Sequence, residues 1–124
     1  RKFKVNKNMA IYSNLIVDQG SAFSVTITVE DNDGNIVNVN GYTVEGKIKK
    51  NYASSTSVEF GATSPITSTD GTIDLTLTDT QTKAMEAGRY VYDVEITSAG
   101  GTGLTTRVLQ GQVEVTPGVT LGGS

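Results

Sequence analysis

The sequence predicts an all-β, antiparallel sandwich of seven or eight strands with one short helical turn. Period-2 alternation of apolar and polar residues dominates the chain, which is the mark of strands with one face on a core and one in water. Clusters of Gly, Asp, Asn and Ser separate the alternating runs and supply the left-handed backbone that tight turns need. Apolar residues make up only 36% and glycines number 14, a balance suited to polar outer faces and frequent turns. With 124 residues, the chain is one domain, able to bury roughly two-thirds of the surface its unfolded form exposes.

The elements follow in order. Arg1-Lys2-Phe3-Lys4-Val5-Asn6-Lys7 begins residues 1–9, which read as a basic N-terminal arm, either solvated or docking on an acidic neighbour through Arg1, Lys2, Lys4 and Lys7. No apolar stretch follows it, so it does not read as a signal peptide, and the missing initiator Met is read as processing. The sandwich is expected over residues 10–117. Residues 10–17 form a first strand, ended by Asp18-Gln19-Gly20. The clearest run is next: Phe23, Val25, Ile27 and Val29 share one face, while Ser24, Thr26, Thr28 and Glu30 share the other. Asp31-Asn32-Asp33-Gly34-Asn35 then turns the chain.

Residues 43–50 alternate again, with Val44 and Ile48 inward and Gly46 between them. Short strands are expected around residues 58–60 and 65–67, and a longer one over 71–78, where Ile73, Leu75 and Leu77 share a face. Residues 79–87 are the only plausible helical turn, capped by Asp79 and ended by Gly88. Residues 89–97 place Tyr90, Tyr92, Val94 and Ile96 inward. A glycine-rich hairpin loop at 98–103 leads to a last long strand over 104–116, bent or bulged near Gly111. Residues 118–124 read as a C-terminal tail. The expected core contains Phe23, Val25, Ile27, Ile73, Leu75, Tyr92, Val94 and Ile96.

Composition narrows function more than any motif does. The chain has no His and no Cys, so the commonest general base, the commonest metal ligand and all thiolate chemistry are absent. The missing Cys also points towards assembly in a reducing cytosol. Four of the ten cations sit in the first seven residues. Without them, six cations face thirteen anions, leaving −7 on residues 8–124. That charge disfavours nonspecific binding to nucleic acid or anionic lipid. No apolar run approaches the roughly 18 residues of a membrane helix. No enzymatic activity and no cofactor are expected.

Several constellations compete with plainer readings. Asp31 and Asp33 superficially resemble the start of a calcium loop, but Tyr42 stands where an EF-hand needs its twelfth-position Glu. The hairpin turn is preferred, with a cation held by Asp31 and Asp33 as the alternative. Asp18 and Asp93 suggest a carboxylate pair, yet nothing in the sequence brings them together. Lys47, Lys49 and Lys50 read as a solvated face or as protection of a strand edge, with a docking patch as the alternative. Tyr12, Tyr42 and Tyr52 near strand ends are the possible sugar platforms, although Trp, the usual platform residue, is missing.

The sharpest local signature is Glu86-Ala87-Gly88-Arg89-Tyr90-Val91-Tyr92. Immunoglobulin-type domains enter their sixth strand through such a corner, with a Tyr two residues before the position that holds Cys in antibodies. Tyr90 resembles the corner Tyr, Gly88 ends the helical turn before it and Tyr92 stands at the Cys position; the plainer alternative is that both tyrosines are simply aromatic strand residues. The fold expected is therefore an immunoglobulin-like sandwich whose core rests on apolar packing rather than a disulfide.

Several segments together resemble the immunoglobulin-like modules of bacteriophage tail and virion proteins, such as the N-terminal domain of baseplate upper proteins. They are residues 18–23 (DQGSAF), 41–44 (GYTV), 77–79 (LTD) with 88–94 (GRYVYDV), and 108–117 (VLQGQVEVTP), spanning roughly residues 15–120. The resemblance implies a virion structural role exercised on other virion proteins or on further copies of the chain, with assembly in the host cytoplasm. It carries no catalytic residues. The competing reading is a carbohydrate- or cell-surface-binding module of a bacterial secreted protein, separated from the first by saturable glycan binding.

Overall fold

The computed structural model describes residues 2–67, 69–98 and 103–118. Two sheets pack face to face. One has three strands in the order β1 (Lys2–Asn6), β4 (Phe23–Glu30), β7 (Thr72–Leu77). The other has six: β2 (Ile11–Tyr12) and β3 (Leu15–Asp18) both pair with β9 (Thr105–Thr116), followed by β8 (Gly88–Thr97), β5 (Thr43–Lys49) and β6 (Val58–Glu59). The chain is an all-β sandwich. Its one described helix, α1 (Asp79–Ala84), is far too short to cross a membrane.

The sheets are mixed rather than wholly antiparallel. β1 pairs parallel to β4, and β2 and β3 pair parallel to β9. The cause is the number of chain reversals. A tight turn between Asn6 and Met9 sends the chain into the opposite sheet, and a second reversal after Asp18 returns it as β4, which restores the direction of β1. The expected basic arm is therefore corrected: Lys2–Asn6 is a sheet strand, and Val5, 2% exposed, belongs to the core.

The inward alternation of the long strands holds in space. Val25, Ile27 and Val29, with Ile73 and Leu75 beside them on β7, join Tyr92, Val94 and Ile96 of the other sheet in one continuous buried cluster. Phe23 sits at its margin, half-buried. Phe60, which alternation alone did not mark as core, is 7% exposed and links the layers: its ring lies 6.4 Å from Phe23 and meets Tyr92 edge-on at 6.1 Å. Gly46 makes room for it, since a Cβ there would stand 2.8 Å from the Phe60 ring. This aromatic trio bridges the two layers of a chain that has no Trp and no Cys.

Smaller expectations are corrected locally. Thr78, not Asp79, caps α1: its hydroxyl accepts from the Gln81 amide at 3.1 Å, and the Gln81 side chain accepts from the Thr78 amide at 2.9 Å, a capping box. Residues 65–67 form no strand, because Ile66 turns into the core and bonds to Gly41 and Tyr42. The irregularity in β9 falls between Arg107 and Leu109, where Val108 is the extra, buried residue.

Candidate interaction surfaces

The corner before β8 fixes the entry into that strand. The Tyr90 hydroxyl donates to the Glu86 carbonyl at 2.7 Å, across the loop between α1 and β8. Gly88 opens that strand with φ +139°, and Lys50 Nζ lies 4.7 Å above the Tyr90 ring. Desolvation, then the charge of Glu86, raises the Tyr90 phenol above its ordinary pKa, so it stays protonated and able to donate. Tyr92 does different work. Its hydroxyl donates to the Ser13 carbonyl at 2.6 Å and ties the link between β2 and β3 to the sheet. Opposite Tyr92 in the ladder lies Gly111, where a Cβ would collide with that same Ser13 carbonyl.

The turn after β4 is closed by its own groups. Asp31 Oδ1 accepts from the amides of Asp33 and Asn35, both at 2.9 Å, and the Asp31 amide donates to the Asn35 carbonyl. The bond from Asn35 is the main cause holding the Asp31 carboxyl below its ordinary pKa. Asp33 is exposed. Among the described residues, no three carboxylates gather as a metal would require. The turn does not join two strands of one sheet, because β4 and β5 belong to different layers.

The basic residues of the first segment divide. Arg1 lies outside the described residues, and Lys2 and Lys4 are in β1. The Lys4 ammonium is largely exposed, 4.0 Å from Glu30, while the Lys7 amide donates to the Glu30 carbonyl. Asp18 and Asp93 are not brought together. Asp18 accepts from the Thr116 hydroxyl at 2.7 Å and Asp93 pairs with Arg107 at 3.3 Å. Their partners on β9, Thr116 and Gln110, place them about 20 Å apart along the strand.

The broadest surface is the outer face of the six-stranded sheet. In register across it run Tyr12, Gln110, Asp93, Lys47 and Glu59. Lys47 bonds to Glu45 at 3.1 Å, which with the neighbouring carboxylates raises its pKa. Four of the six cations outside the first segment, Lys47, Lys49, Arg89 and Arg107, alternate outward on these strands among the carboxylates of Asp18, Glu45, Glu59, Asp93, Glu95 and Glu114, so the face carries mixed charge and is only mildly acidic. Tyr52, 75% exposed, flanks one side, and Tyr12 and Ile16 are exposed on the other. Tyr42 instead packs against the core. At the sheet's ends, β6 and the β2–β3 segment are edge strands.

No protein-family model matches this chain, and no curated protein matches it. Among solved structures, the N-terminal domain of phage TP901-1 ORF48 is similar with a TM-score of 0.58 and 10% identity, over 93% of this chain and 98% of that one. That likeness shows a shared β-sandwich fold. An internalin-like protein of Listeria monocytogenes aligns over 92% of this chain but 30% of its own, at 17% identity and a TM-score of 0.40, too distant to carry an argument.

Proposed function

We propose that this chain is a structural module of a bacteriophage particle and works by protein–protein contacts with other virion proteins or with further copies of itself. One observation supports this most: the fold corresponds to a whole phage domain over nearly the full length of both chains. Segment likeness along residues 15–120 agrees with it. The surface fits the same role, since a sandwich with edge strands in both sheets and a mixed-charge outer face presents what partner proteins use. Placement in a tail or baseplate, and assembly in the host cytoplasm, belong to this reading.

Mass spectrometry of particles purified from the producing culture tests it. Peptides of this chain should co-sediment with intact particles at a fixed ratio to the capsid protein. Their recovery only from the soluble fraction would overturn the virion role. Saturable binding on a glycan array would favour a carbohydrate-binding module instead. The exposed Tyr12 lies at the β2 edge of the outer face, and the exposed Tyr52 lines a shallow depression over β5 and β8 on that face.

A further inference from the structure

The N-terminal segment is divided between the two layers, and its leading strand, β1, is held on one side only. β1 pairs with β4 and has no other neighbour in its sheet. Val5 is its fully buried side chain, with Phe3 packed partly against the core. The link to β2 is a short turn, in which the Met9 amide donates to the Asn6 carbonyl at 3.3 Å and the Asn8 amide to Asn6 Oδ1 at 2.7 Å. Met9 itself is 67% exposed, so the core does not hold the turn. Opening that turn, the ladder to β4 and the bonds from Lys7 and Asn6 to the Glu30 carbonyl and Asn32 releases β1 while leaving the pairing of every other strand intact.

From this we infer that β1 is an exchangeable strand, able to fill the place beside β4 in a second copy of the chain. Every contact it makes within its own copy is available in the other: Phe3 beside Ile27, Val5 beside Val29, and the same parallel ladder. Exchange of an identical element across a hinge therefore costs little in contacts and depends on concentration. Charge attracts the basic segment holding Lys2, Lys4 and Lys7 to the −7 of residues 8–124 in its own copy and in a second one alike, so exchange loses none of that attraction. The inference does not rest on the virion reading and fails separately from it.

The chain has no cysteine, so engineered pairs report the exchange cleanly. Lys4 and Thr28 are register partners on neighbouring strands, at a spacing a disulfide can bridge. Full-length K4C/T28C is incubated over a hundredfold range of concentration, oxidised, and run on a non-reducing gel. Exchange predicts a covalent dimer whose share rises with concentration, beside the intramolecular product. K4C mixed with T28C should also yield the mixed disulfide in clear excess over either like-with-like dimer. Cross-linked monomer alone at every concentration, with no excess of the mixed disulfide, would overturn the inference.

Discussion

The last two strands and the first three are built on different principles. β8 and β9, ten and twelve residues long, form a continuous antiparallel ladder interrupted by one bulge. β1, β2 and β3 are five, two and four residues long, pair only in parallel, and cross from one layer to the other. The first pair is specified by local alternation and a hairpin. The second group depends on what the rest of the chain leaves open: a vacant edge beside β4, another beside β9, and a glycine at the crossing. A strand can thus be fixed by its own sequence or by the gap it fills, and the two kinds should respond differently to substitution.

Gly111 is where the two regions meet, and its loss should do the most damage. Gly111→Ala drives a Cβ into the Ser13 carbonyl, so β2 and β3 must lift from β9. A loss of about 3–5 kcal/mol in urea unfolding is expected, the range of large single-site effects. A near-neutral result would mean that the crossing is not tight. Ile27→Ala, in the middle of the core, should cost about 2–5 kcal/mol. A value below about 1 kcal/mol would show that β4 faces the other way.

The two tyrosines of β8 separate the regions more finely. Tyr92→Phe removes the buried tie to Ser13 and should cost about 1–2 kcal/mol. Its effect should nearly vanish in a Gly111→Ala background if both act on the same crossing. Tyr90→Phe removes only the corner bond to Glu86, on a partly exposed side chain, and should cost about 1 kcal/mol or less, additive with either change.

The smallest effect concerns the turn that leaves β4. The Asp31 carboxyl is held below its ordinary pKa by backbone donors, so its contribution is present above that ordinary value and fades as pH falls through the folded one. An NMR titration of Asp31 should therefore show a depressed midpoint. Asp31→Asn, which keeps an acceptor oxygen, should preserve the turn better than Asp31→Ala. An undisplaced midpoint would show that the bonds from Asp33 and Asn35 do not persist in solution.

Alternation, turn residues and capping are local, so the sequence by itself determined the long strands, the inward face of β4, β7 and β8, the single helical turn and the corner at Tyr90. A side chain two residues along a strand always returns to the same face, whatever lies opposite. Which candidates meet in space is a matter of distant partners. The placing of Lys2–Asn6 in a sheet, the separation of Asp18 from Asp93 and the alignment of Tyr12 with Lys47 all follow from strand order. So does the burial of Phe60 over Gly46: the glycine leaves a hole, but only the opposite layer decides which ring fills it. Those contacts join residues far apart in the chain, and their energy comes from packing between layers that no single segment contains.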